Sequence, residues 1–338
     1  MKAMYKEKRS SRSEFVPIRG LNYHVRIWQA PQTDARAASA GPPQARPAPS
    51  GGSEPHAVGN VGVPLVLVHG WMDVAASWQF MVDALSDAFA QDRTIIAPDW
   101  RGFGQTGTGP AGAQVDHYWF ADYLADLDFL LDHYAAGQAV DLVGHSMGGN
   151  VAMLYAGVRP ERIRKLVNLE GFGLPASRPS QAPGRYAKWM DELKSLHRGD
   201  LDLKPYNDQD GVARRLMKTN PRLSPDKADW LASHWARPDA AGKWRILGEA
   251  AHKITSAQLY RLDEVLEIYR RISAPTLAIE ASDDSLGSWY QGKYTLAEYH
   301  ERLKNLPQAR VAVVKDAGHM LHHDQPEQLA RLIEGFLD

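Results

Sequence analysis

From residue 63 to residue 171, short apolar runs alternate with stretches of helical period, and this rhythm constrains the chain more than any other feature. The run 63–68 is continuously apolar, and 93–97, 139–143 and 164–169 follow as short strands with apolar centres. Between them lie the helical patterns 76–90, 116–134 and 147–158, the second with Tyr123, Leu124, Leu127, Leu130 and Leu131 on one stripe. Strands apolar on both faces belong to a parallel sheet covered by helices on each side. Upstream, Leu21, Tyr23, Val25 and Ile27 alternate with polar residues, and 14–18 offers a partner strand across a turn at Gly20. Strand signals resume at 275–279 and 310–314, and a helix over 326–337 opens on Pro326. The expectation is an α/β fold with a mostly parallel, eight-stranded sheet.

Two segments interrupt the rhythm. Residues 30–62 shift to Ala, Pro, Gly and Ser, including Gly41-Pro42-Pro43 and Gly51-Gly52. Such a run cannot bury enough apolar surface to offset its ordering entropy, and reads as a flexible insertion. Residues 172–272 hold helical patterns, several prolines and Trp189, Trp230, Trp235 and Trp244, but no strong strand. They read as a helical cap inserted after the sixth strand, leaving 14–171 and 273–338 as the core.

Composition removes several function classes. The chain has 338 residues and no cysteine, which excludes disulfides, thiolate metal sites and a cysteine nucleophile. Its formal net charge of -1 gives no reason to expect a nucleic-acid partner. No run approaches the ~18 apolar residues of a membrane span. The basic start, 1–12, is not followed by the apolar stretch of a secretory signal. A cytoplasmic protein acting on a small molecule, without a membrane or cofactor, is expected; oligomeric state is not encoded legibly.

The chemistry centres on Gly144-His145-Ser146-Met147-Gly148-Gly149, a G-x-S-x-G pattern between an apolar strand and a helix. A turn that sharp pushes the serine oxygen beyond the strand end, which makes Ser146 the candidate nucleophile. A serine hydroxyl needs a base. His319, just past the strand 310–314, would sit on the same sheet edge, whereas His145 adjoins the serine along the chain and points away. The base needs a carboxylate to fix its tautomer. Asp283 and Asp284 follow the strand 275–279, and Glu170 ends an earlier one. The backbone N–H groups of Met147 and Trp71 are the expected oxyanion donors, with His69 bracing the loop. His322 and His323 read as solvated, and no third ligand suggests a metal site beside them.

With His69-Gly70-Trp71, Asp99-Trp100-Arg101-Gly102-Phe103-Gly104, the 144–149 motif, Gly318-His319 and Pro326-Glu327 in place, the chain resembles the α/β-hydrolase superfamily. The nearest branch is the serine hydrolase-like and esterase group related to haloalkane dehalogenases. The resemblance covers residues 14–29 and 62–338. It implies a Ser-His-Asp triad that hydrolyses a small ester or related acyl bond through an acyl-enzyme. Dehalogenases and epoxide hydrolases carry aspartate where this chain has Ser146, which argues against both chemistries. The C–C hydrolases have a glycine- and proline-rich oxyanion loop, where this chain reads Trp71-Met72-Asp73-Val74. Some members of the superfamily are non-catalytic binding proteins that have lost catalytic residues. The family's acid falls three residues beyond a position that here is Ala281, which selects Asp284, with Glu170 and Asp283 as alternatives.

Overall fold

The computed structural model describes residues 4–29, 62–106 and 115–338. Residues 30–61, nearly all of the expected flexible insertion, lie outside them. One eight-stranded sheet organises the molecule: β1 (Arg12–Ile18), β2 (Leu21–Trp28), β3 (Leu65–Val68), β4 (Ile95–Pro98), β5 (Val140–His145), β6 (Ile163–Leu169), β7 (Thr276–Ala281) and β8 (Ala309–Val314). Their spatial order is β1-β2-β4-β3-β5-β6-β7-β8. β2 runs antiparallel to both neighbours, and every other pairing is parallel.

The two-sided burial inferred for the strands follows the pleat. Val66 and Val68 face one layer with Val151, Ala152, Tyr155, Leu127 and Leu131. Leu65 and Leu67 face the other, against Trp78, Met81, Val82, Leu329 and Ile333. Each buried Val or Leu contributes about 1.5–3 kcal/mol, so the alternation locks the register of the central strands. Edge strand β8 is largely exposed, as its single neighbour requires.

Two local departures have clear causes. The helical pattern 76–90 is broken: a 3-10 turn Ala75–Trp78 and the helix Gln79–Ala84 end at Leu85, and a new helix, Asp87–Gln91, begins. Ser86 starts it by accepting from the Phe89 N–H, a strong N-cap that competes with helix continuation. The segment 172–272 contains the helices Ala182–His197, Gln209–Thr219 and Pro225–Trp235, but also a short hairpin, Ala236–Pro238 with Trp244–Ile246. Its last helix, Leu262–Arg270, turns Val265 and Tyr269 into the core layer of the elbow helix Met147–Val158.

Because β3 to β8 are all parallel, their C-terminal ends share one edge of the sheet. Residues 69–71, Asp99, Ser146, Glu170, 282–284 and the loop to His319 therefore gather along it, as in open α/β sheets generally.

Candidate active site

Ser146 stands between β5 and the helix Met147–Val158 with φ 52° and ψ -114°, a strained conformation for a residue with a side chain. Its N–H donates to the Leu169 carbonyl at 2.8 Å, which ties the turn to β6. The turn is possible because its flanks lack side chains. A Cβ on Gly148 would lie 2.3 Å from the Val68 carbonyl oxygen, and one on Gly144 would lie 2.4 Å from the Gly148 oxygen. Ser146 remains partly open to solvent at the helix N-terminus.

His319 is reached from β8 through the 315–318 turn. Its Nδ1 lies 3.2 Å from Glu170 Oε2. Glu170 ends β6 with φ 53°, and its other oxygen, Oε1, accepts from the Ala281 N–H at 2.8 Å. This corrects the expectation for the acid. Asp284 does not meet the imidazole; its Oδ1 accepts from the Gly287 N–H at 2.8 Å and caps the helix Ser285–Tyr290. Asp283 is taken by Arg222, 2.8 Å away. The physical reason is that a helix opens directly after β7, and the residue three beyond Ala281 is recruited as its N-cap, a position aspartate favours.

Burial dominates the electrostatics of this pair. It lowers the His319 imidazole to about 4 and raises the Glu170 carboxyl to about 7, with Asp284 and Asp283 pushing the latter in the same direction. At neutral pH His319 is therefore uncharged, and the Glu170 carboxyl stands between its two protonation states. The Trp289 ring stands edge-on to His319, centroids 4.4 Å apart, and is half exposed. A cavity of about 220 Å³ opens beside His319, with Asn220, Arg222, Ser288, Trp289 and Met320 among its walls.

The oxyanion loop lies against the elbow: a Cβ on Gly70 would approach Ser146 Cβ to 3.1 Å. Met147 is the first helical residue, so its N–H has no intrahelical acceptor. His69 braces the loop as expected. Its Nε2 accepts from the Trp100 N–H at 2.9 Å, so Nδ1 carries the proton and donates to the Gly70 carbonyl at 2.7 Å. Residues of the segment 172–272 also hold this loop. Trp71 Nε1 donates to the His252 carbonyl and Trp235 Nε1 to the Met72 carbonyl. Trp230, Trp235 and Trp244 pack around Val74, Ala76 and Phe80.

Sequence reasoning missed the layer beneath. His322 and His323 are not solvated; both are buried, with their Nε2 atoms 3.1 and 2.6 Å from Ser77 Oγ. The short helix Leu321–Asp324 turns them inward, onto the Ala75–Trp78 turn. His145 is buried and not idle: its Nε2–H donates to the His319 carbonyl at 2.8 Å. That bond ties the residue before Ser146 to the backbone of His319. Asp99 is a further hub, accepting from Ala75 N, Gln105 N and His24 Nδ1 at 2.7–2.8 Å. Its family motif was visible; its role as a structural anchor was not.

Comparison with known proteins places this geometry. The family described as "alpha/beta hydrolase fold" matches residues 63–326. A serine hydrolase-like protein of Danio rerio is 24% identical over 280 residues, covering 82% of both chains. A probable serine hydrolase of Drosophila melanogaster is 31% identical over 290 residues, covering 81% of this chain and 80% of its own. Among solved structures, a thioesterase domain from the curacin biosynthetic pathway superposes with a TM-score of 0.73 at 22% identity, over 96% of this chain and all of that one. Among the described residues no helix is long and apolar enough to cross a membrane. The chain belongs to the α/β-hydrolase fold family and is a hydrolase.

Proposed function

We propose that this hydrolase cleaves a small ester or related acyl bond through an acyl-enzyme formed on Ser146. Its triad is Ser146, His319 and Glu170. The observation that carries the reading is the pairing of His319 Nδ1 with Glu170 Oε2 at 3.2 Å on the sheet edge where Ser146 is held at φ 52°. A carboxylate on Nδ1 leaves Nε2 of the imidazole as the free lone pair, the tautomer that can take the Ser146 proton. The serine oxygen then attacks the acyl carbon. The oxyanion is received by the N–H groups of Trp71 and Met147, and the imidazolium returns its proton to the leaving group. Water, deprotonated by the same histidine, releases the acid. The modest cavity beside His319 supports a small acyl or leaving group, since pockets for drug-sized ligands run to roughly 300–1,000 Å³.

Labelling by a fluorophosphonate probe tests the nucleophile. The parent is expected to label and Ser146→Ala not to. A series of p-nitrophenyl esters of graded chain length tests substrate size, with turnover expected to peak at short chains. Parent enzyme that neither labels nor turns over any ester would refute the reading and favour a binding protein on a hydrolase scaffold.

A further inference from the structure

We propose that Asp73, His145 and His322 form a buried site for one divalent transition-metal ion of the zinc class, beneath the catalytic loops and distinct from the triad. One donor atom from each residue lies within 4.8 Å of the other two, and all three residues are buried. Asp73 Oδ2, His145 Nδ1 and His322 Nδ1 have no hydrogen-bond partner. Buried polar atoms in that state are costly and rare, so three in one place mark a ligand site.

Proton accounting shows what the three atoms offer. The His319 carbonyl can only accept, so His145 donates to it from Nε2 and its Nδ1 is a bare lone pair. Ser77 has one hydroxyl proton and three neighbours, the imidazoles of His322 and His323 and the Asp73 carboxyl group. The shorter contact, 2.6 Å to His323 Nε2, takes that proton. His322 Nε2 then donates to Ser77 Oγ at 3.1 Å, leaving its Nδ1 bare as well. Asp73 Oδ1 is occupied by the Val74 N–H at 2.9 Å, and Oδ2 accepts no hydrogen bond, with His322 Nε2 3.9 Å away. Two neutral imidazole nitrogens and one carboxylate oxygen are a donor set for Zn²⁺ and its borderline neighbours rather than for Ca²⁺ or Mg²⁺. At ordinary bond lengths of about 2.0–2.2 Å, each donor moves inward by less than about 1 Å.

The ligands come from the oxyanion loop, the residue before Ser146 and the third residue after His319. An ion there clamps the three loops that carry the candidate reaction, without touching the reacting atoms.

The test is equilibrium binding of Zn²⁺ in competition with a chromogenic chelator, with melting temperature read in parallel. The parent is expected to bind one ion per chain and to melt higher with it. Asp73→Asn and His322→Gln, each checked for folding by circular dichroism, are expected to lose more than about 100-fold in affinity. His319→Ala is expected to keep the site, and so is His197→Ala, which removes one of the two exposed imidazoles 2.8 and 3.5 Å from the Asp116 carboxylate. Absence of binding by the parent, or binding unchanged in Asp73→Asn and His322→Gln, would overturn the proposal. So would loss of binding in His319→Ala or His197→Ala. Should the buried variants not fold, anomalous diffraction from zinc-soaked parent crystals decides. A peak among Asp73, His145 and His322 supports the site, and a peak elsewhere or none refutes it.

Discussion

Glu170→Gln is the substitution that separates the two candidate acids. The glutamine side chain has the same length, and its oxygen can keep the 2.8 Å bond from the Ala281 N–H. Its NH₂ group then faces His319 Nδ1 in place of Oε2, 3.2 Å away in the parent. A donor there forces Nδ1 to accept, so the proton moves to Nε2, where it blocks removal of the Ser146 proton. For serine triads this tautomer change costs about 10⁴-fold in kcat, which is about 5 kcal/mol of barrier. The fold is not taxed, because burial already disfavours the Glu170 anion. The variant is expected to melt at or above the parent's temperature at neutral pH. Asp284→Ala removes an N-cap worth about 1 kcal/mol, and Asp283→Asn removes an exposed ion pair with Arg222 worth about 0–1 kcal/mol. Both are expected to retain ester turnover within severalfold. Turnover of each purified variant, with melting curves, checks the set. A Glu170→Gln enzyme within tenfold of the parent, or a folded but inactive Asp284→Ala, would refute the assignment of Glu170.

The acid limb of kcat/KM is expected to follow protonation of the Glu170 carboxyl group beside His319. Activity falls about tenfold per pH unit below an apparent pKa near 7, the value to which burial raises Glu170. The limb of any residual Glu170→Gln activity is expected to move well to the acid side, toward the buried His319; an unmoved limb would separate it from this pair. Asp99→Asn turns a donor toward Gln105 N and His24 Nδ1, losing two bonds to a charged acceptor at about 1.5–3 kcal/mol each. Urea unfolding is expected to show a lower midpoint with an unchanged slope. Trp289→Ala opens the wall beside His319 and is expected to shift ester preference toward longer chains, read as kcat/KM ratios across the p-nitrophenyl series.

The sheet was legible because central parallel strands are buried on both faces: 65–68 and 95–97 hold nothing but Val, Leu, Ile and Ala, and in 140–143 the one polar residue, Asp141, is paired with Arg93 and Arg164. The order of motifs along the chain then brings Ser146 and the His319 loop to one edge without any knowledge of side-chain packing. What was not legible are features decided by local competition. Ser86 can cap a helix or continue one, and only the packing of Trp78, Met81 and Val82 against the core selects the break. Helical period gives His322 and His323 no preferred face over four residues, so their burial on Ser77 depends on a contact 245 positions away in sequence.

The acid shows the same limit in sharper form. Three carboxylates stand at two neighbouring strand ends, and counting along the chain treats them as equals. Space does not. Asp283 and Asp284 lie where a helix begins, and each has a nearby competing partner, Arg222 or the Gly287 N–H. Glu170 is the last residue before the chain leaves the sheet, and its neighbours in β6 are Asn168 and Leu169, both fully buried. A carboxylate in that setting has few partners it can reach, and an ionised one is costly unless it is paired. Its partners are the Ala281 N–H, the imidazole of His319 and the Ser285 side chain. The discriminating signal was thus present: an acidic residue directly after a fully buried run is under stronger pressure to find a specific partner than one in an exposed turn. Among the three carboxylates weighed for the acid, that rule favours Glu170 over Asp283 and Asp284. It also explains why a glutamate suffices there, since the longer side chain spans from β6 across the β7 end to the histidine loop.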